Sequence, residues 1–190
     1  MVNNLFYKKY IQELSSSVDF SNKDLDIINK IFEKFKKVKK SNNKIIFIGN
    51  GGSAAISSHV SVDLTKNAKV RSICFNEADL ITCFSNDYGY ENWMSKALDF
   101  YAIKGDLIVI ISSSGESKNV LNAGKWCNKY KFEFITLTGN KNINSLMKIN
   151  KKGLNIWIDS KAYNIIELSH LLILLMLVDK LIGKVEYKNL

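Results

Sequence analysis

Four groups of residues in this chain have the types and spacing that chemistry requires. The first is the turn Gly49, Asn50, Gly51, Gly52, Ser53, which follows four apolar residues, "IIFI". Glycines let backbone N–H groups approach an anion closely, and a helix opening at Ser53 would add positive potential. The second is His59 and Asp63, an imidazole and a carboxylate four residues apart and therefore on one face of that helix. The third is "SSSGES", in which Ser112, Ser113, Ser114 and Ser117 surround a glycine after another apolar run. Capping a helix consumes one or two hydroxyls, whereas four hydroxyls with the neighbouring amides make a phosphate cradle. The fourth is Glu167 and His170, three residues apart near the start of "LSHLLILLMLV".

The elements needed to position these groups are legible in the hydrophobic pattern. "IIFI", "DLIVIIS" (106–112), "KFEFITLTG" (131–139) and "GLNIWI" (153–158) are apolar runs of strand length, and "KVRSICF" (69–75) is a further candidate. Helical spacing separates them, over 53–66, about 116–129 and 162–182, with helical segments at Glu77–Phe84 and Tyr90–Tyr101 around a turn-rich "SNDYG". Continuously apolar strands that alternate with helices predict an α/β fold, a doubly wound parallel sheet with helices on both faces. Two helices precede any strand, 3–16 and 22–39, the second opened by Ser21 as N-cap. They predict an N-terminal helical hairpin over residues 1–40, for packing or oligomerisation, before an α/β unit over 41–190. In such sheets ligands sit outside the carboxyl ends of the strands, where both the "GNGGS" and "SSSGES" turns lie.

Composition narrows the partners. The 27 basic residues outnumber the 18 acidic ones, a net charge of +9, but Arg71 is the sole arginine. Nucleic-acid readers rely on bidentate arginine, so the excess lysine predicts a solvated surface that attracts anions and no nucleic-acid partner. The longest apolar run, Leu171–Val178, is too short to span a bilayer, and the start of the sequence does not read as a signal peptide; a cytoplasmic protein with no membrane partner is expected. Cys74, Cys83 and Cys127 fit no zinc or redox spacing and are expected as buried small hydrophobes.

The strings "GNGGS", "NDYG", "SSSGES" and "ITLTG", in that order and spacing, resemble the sugar isomerase (SIS) domains, and among them the phosphoheptose isomerases. The resemblance covers roughly residues 40–182. It implies a three-layer, flavodoxin-like SIS fold and a ketose–aldose isomerase of a sugar phosphate, sedoheptulose 7-phosphate foremost, working through an enediol. It implies Ser53, Ser112, Ser113, Ser114 and Ser117 as phosphate ligands, Asn50 and Gly51 as contacts of the sugar chain, and Asp87 and Thr138 beside the substrate. It also implies a homotetramer with sites at subunit interfaces, zinc in some members, and heptose supply for surface polysaccharide.

Two departures stand out. The family places Glu where this chain has Asp63. On the last helix Glu167 falls on a family Gln and His170 on the first of two histidines, while the second, the supposed acid, falls on Leu174 or Leu175. The residues then admit Asp63 as base with His170 as acid, or His59, Asp63, Glu167 and His170 as ligands of a metal such as zinc. They also admit a purely structural Glu167–His170 pair. The alternatives at the level of function are a non-catalytic SIS module that binds a phosphosugar or a protein, and an isomerase of another phosphosugar.

Overall fold

In the protein's computed structural model, which describes residues 4–186, helices α1 (Leu5–Ser17) and α2 (Asn22–Ser41) come first. They are followed by β1 (Ile45–Ile48), α3 (Gly52–Lys66), β2 (Ser72–Cys74), α4 (Ala78–Tyr88), α5 (Trp93–Tyr101), β3 (Leu107–Ser112) and α6 (Lys118–Tyr130). The chain ends with β4 (Phe134–Thr138), α7 (Ser145–Ile149), β5 (Leu154–Trp157) and α8 (Tyr163–Ile182). The five strands pair in parallel in the order β2-β1-β3-β4-β5. The order reverses between β1 and β3, and that reversal opens the crevice in which sheets of this kind bind ligands.

The strands are apolar throughout because each face has its own cover. Ile45 and Phe47 of β1, Leu107 and Val109 of β3 and Leu137 of β4 meet α2, α3 and α8 in one core. Ile46, Ile48, Ile108, Ile110 and Phe134 meet α5, α6 and α7 in the other. The predicted three-layer parallel sheet is therefore present, and α8, apolar almost all round, is the helix buried deepest against α2, α3 and β4.

Ser21 caps α2 as expected: its Oγ accepts from Asp24 N, and the Asp24 carboxylate accepts the Ser21 N–H in return, closing a capping box. The N-terminal helices pack on the last helix and on β5, with Ser17 and Ser169 hydroxyls 2.8 Å apart between α1 and α8.

Three local expectations change. "SNDYG" is not a free turn: Asn86, Asp87 and Tyr88 form the last turn of α4, and the chain turns at Gly89, φ +81°, after Gly89 N–H bonds to Ser85 O. α7 was not visible in the pattern, being a five-residue helix capped by the Asn144 side chain, which accepts from Met147 N. Of the cysteines only Cys127 is buried, with its thiol pushed up to about 12 by burial; Cys74 is half-buried and Cys83 exposed on α4. Among the described residues no helix is long and apolar enough to cross a membrane.

Candidate functional site

The turn after β1 and the serine loop after β3 face each other across the β1/β3 crevice. Ser53 is buried in the first turn of α3, behind Gly51 at φ +53°, so its side chain sits at the positive end of that helix, whose Ser53 and Ala54 amides turn back to Asn50 O.

The serine loop is folded back on itself and latched from outside. Gly115 N–H donates to Ser112, at 3.2 Å to its carbonyl and 3.1 Å to its hydroxyl, and Glu116 N–H donates to Ser114 Oγ at 3.2 Å. Gly115 O accepts from Leu146 N, and the Glu116 carboxylate accepts from Ser145 N–H and Oγ, bonds that hold its pKa below the usual carboxylate range. Two of the four hydroxyls remain. Ser113 Oγ is buried with no partner, and Ser117, the N-cap residue of α6, makes no side-chain cap bond. The capping explanation of the serines thus fails where it would apply, at Ser117, and the orphaned Ser113 hydroxyl is the kind of buried group that a ligand oxygen satisfies.

Gly115 is tied to the loop's shape twice over. Its φ is +65°, and a Cβ there would meet the Asn144 amide at 2.3 Å. Gly115→Ala is expected to destabilise the protein by about 2 kcal/mol through that clash and the left-handed backbone, and to weaken inorganic phosphate binding at least tenfold. Urea denaturation and phosphate titration check both, and unchanged phosphate affinity would dissociate the loop from anion binding.

Asn50 and Asn119 bridge the crevice. Asn50 Nδ2 donates to Asn119 Oδ1 at 3.0 Å, and Asn119 Nδ2 donates to Asn50 Oδ1 at 2.9 Å. Tyr90 Oη adds a donor to Asn50 Oδ1 at 3.3 Å. Asn119 and Tyr90 were missed by the sequence reading. Tyr90 stands three residues beyond Asp87 in the quoted motif, and Asn119 two beyond Ser117, but side-chain pairing across loops has no signature in spacing. Asp87 itself stays exposed, bonded to its neighbour Asn86.

Glu167 enters from α8 and lies against the "GNGGS" turn: a Cβ on Gly52 would fall 2.1 Å from its Oε2. It lines an open pocket of about 370 Å³ with Tyr10, Gly52, Ala55, Asn164 and Leu171.

Thr138 borders the serine loop: it pairs with Ser112 at the end of β4, and the next residue, Gly139, donates its N–H to Ser113 O at 3.0 Å. Its hydroxyl is buried and turns to Ile156 O at 3.3 Å. His170 is fully buried behind it; its Nε2 faces the Thr138 carbonyl at 3.1 Å and so carries the proton, while Nδ1 has no partner. Burial lowers its pKa to about 4, leaving it neutral at pH 7. His59 and Asp63 do form the expected pair, Nε2 to Oδ2 at 3.2 Å, with Asp63 also accepting from Asn67 Nδ2. Asp63 stands about 16 Å down α3 from Gly52, at about 1.5 Å per residue. Its neighbour across the helix pair is Asp179 of α8, whose pKa is raised by burial and then by the Asp63 charge.

The SIS domain family profile matches residues 7–139. The chain belongs to the SIS-domain family. Relatives it is similar to include phosphoheptose isomerases. One from Akkermansia muciniphila is 37% identical over 106 residues, 53% of this chain and 56% of that protein, so the chain spans little more than half of its length. A probable phosphoheptose isomerase of Thermoplasma acidophilum is 32% identical over 177 residues, 90% of this chain and 94% of the other. The solved structure of a phosphoheptose isomerase from Neisseria gonorrhoeae matches with a TM-score of 0.85 over 95% of this chain and 99% of that one, at 21% identity, which speaks for the fold.

Within this SIS domain the residues do not fit the zinc site considered from sequence. Among the described residues no three His, Cys, Asp or Glu side chains gather as a metal requires. His170 has its proton-bearing nitrogen committed to a carbonyl inside the core, and the His59–Asp63 pair lies turns away from Glu167. His59, Asp63, Glu167 and His170 therefore do not form one ligand set within the chain.

Proposed function

We propose that the protein is a ketose–aldose isomerase of a sugar phosphate, with sedoheptulose 7-phosphate, converted to D-glycero-D-manno-heptose 7-phosphate, as its first substrate. The observation that carries this is the orphaned Ser113 hydroxyl beside the uncommitted Ser117, opposite the helix N-terminus at Ser53. Phosphate binds to Ser53, Ser112, Ser113, Ser114 and Ser117, and the sugar chain runs along Asn50, Gly51 and Gly52 toward Glu167. The base takes a hydrogen from C1 of the ketose and the C1–H electron pair becomes the C1–C2 double bond of the enediol. The hydroxyl proton passes from O1 to O2, C1 becomes the aldehyde carbon, and the base returns its proton to C2.

We assign the base to Asp63, supplied by a neighbouring copy. Its place about 16 Å along α3 from Gly52 supports a base that serves a neighbouring crevice. The face that carries it is also open and apolar: His59 is half exposed, Val62 is 60% exposed on α3, and Leu168, Leu172 and Met176 form a stripe at i, i+4 and i+8 on α8. Phe6 and Ile11 of α1 are exposed as well. These surfaces support a homotetramer with sites at its interfaces, the N-terminal helices serving the assembly, in a cytoplasmic enzyme of heptose supply for surface polysaccharide.

The second reading is a non-catalytic phosphosugar-binding module, favoured by the buried His170 and the absence of a second histidine on α8. Incubation with sedoheptulose 7-phosphate and with fructose 6-phosphate, each with and without added zinc, decides between them by NMR. An aldose phosphate is expected from the heptulose. Tight binding with no product from either sugar would establish the module instead.

A further inference from the structure

The β1 and β3 loops are neighbours at the sheet, yet nothing in the backbone fixes their separation. Strand pairing between β1 and β3 ends at Ile48 with Ile110. Beyond it the chains diverge, because α3 packs on one face of the sheet and α6 on the other. The backbone bonds of the two loops run elsewhere: Ser53 N and Ala54 N return to Asn50 O, Gly139 N donates to Ser113 O, and Leu146 N donates to Gly115 O. A crevice opened in this way can bind bare phosphate on one loop at any width. A phosphate ester, whose phosphate sits on one loop and whose carbon chain sits on the other, needs the width set.

The Asn50–Asn119 pair is the side-chain tie across that gap. It is reciprocal, so two antiparallel N–H···O bonds fix an angle as well as a distance. Asn119 is 2% exposed, where hydrogen bonds are little weakened by water, and its Oδ1 also accepts from Val120 N, which locks the side chain to the first turn of α6. Asn50, held from the other side by Tyr90, brings the segment after α4 into the same network. Asn50 of "GNGGS" is thus bonded both to Asn119, in the helix that follows "SSSGES", and to Tyr90, the residue after "NDYG".

Resting on the reading of the crevice as a phosphosugar site, we propose that Asn119 is the positioning residue that sets the distance between the phosphate loop and the sugar loop, and so selects sugar phosphates over free phosphate. It acts through Asn50, and Asn50 spends its amide on the tie before it spends anything on the sugar.

Titration of wild type, Asn119→Ala and Tyr90→Phe with inorganic phosphate, fructose 6-phosphate and sedoheptulose 7-phosphate tests it. Asn119→Ala is expected to weaken both sugar phosphates about tenfold, the scale of two lost neutral hydrogen bonds, and to leave phosphate affinity within twofold. Tyr90→Phe, an exposed change that keeps the fold, is expected to shift the same ratio in the same direction by about threefold. Equal weakening of all three ligands by both variants would make the role merely structural and overturn the proposal, as would no change in any. Wild-type protein that binds the sugar phosphates no tighter than phosphate would instead remove the phosphosugar reading, and this proposal with it.

Discussion

Asp63→Asn is expected to lower turnover about a thousandfold while leaving sugar-phosphate affinity within a few-fold, because a positioned general base contributes about 10²–10⁴ to the rate and makes no contact with the phosphate cradle. The amide keeps the shape of the carboxylate and an acceptor for Asn67, while it gives up the basicity and the charge that faces His59. The placement of Asp63 about 16 Å along α3 from Gly52 gives the prediction a second part. If the base is supplied in trans, two inactive proteins must repair each other. Asp63→Asn retains an intact serine loop, and Gly115→Ala retains an intact Asp63. Mixed, briefly destabilised in urea and reassembled, they should form sites with the loop of one chain and the carboxylate of another. About a quarter of total wild-type activity from an equal, random mixture, in which one site in four has both intact parts, would be the sign of success. No recovery from a mixture shown to contain hybrids would place the base within the subunit, and Glu167, lodged at Gly52, would then be the carboxylate within reach.

What the sequence makes legible here follows from the range of each interaction. The sheet was legible because a strand covered on both faces needs no alternation, and Ile45 to Ile48 or Leu107 to Ile111 leave little else to be. The Ser21 N-cap and the two loops were legible because each is written within a few consecutive residues. The proposal of a phosphate cradle rests on a surplus legible in the same way: four serines where capping uses one or two. The outcome differed for residues whose role depends on a partner far along the chain. Thr138 and His170 read as site residues by position in a motif, and no spacing announced that, 32 positions apart, the His170 Nε2–H would bond the Thr138 carbonyl inside the core. Asn119 reads as an ordinary polar residue of a first helical turn until the fold sets it 69 positions from Asn50. Asp63 has its local partner His59 where the spacing put it, but local spacing carries no information on which copy's crevice that pair faces.

The burial of His170 makes a prediction that does not depend on catalysis. An unfolded histidine titrates near 6.5, whereas His170 in the fold binds its proton only at about pH 4. Between those values the unfolded chain holds one proton more than the folded one. Stability therefore falls as pH drops from about 6.5 and stops falling on this account near 4, a loss of about 3 kcal/mol at 1.36 kcal/mol per unit. Above 6.5 both states are neutral and the contribution is flat. Glu116 adds a loss of the same sign only below its unfolded value of 4.5, and Asp179, with a raised pKa, works in the opposite sense, its contribution fading as pH rises through the carboxylate range. The window from 6.5 to 5 thus belongs mainly to His170, and wild-type protein should lose about 2 kcal/mol across it in urea denaturation. His170→Gln keeps a donor for the Thr138 carbonyl and has no proton to take up, so its stability should be level over the same window. An identical slope in both proteins would show that the loss of stability does not come from His170.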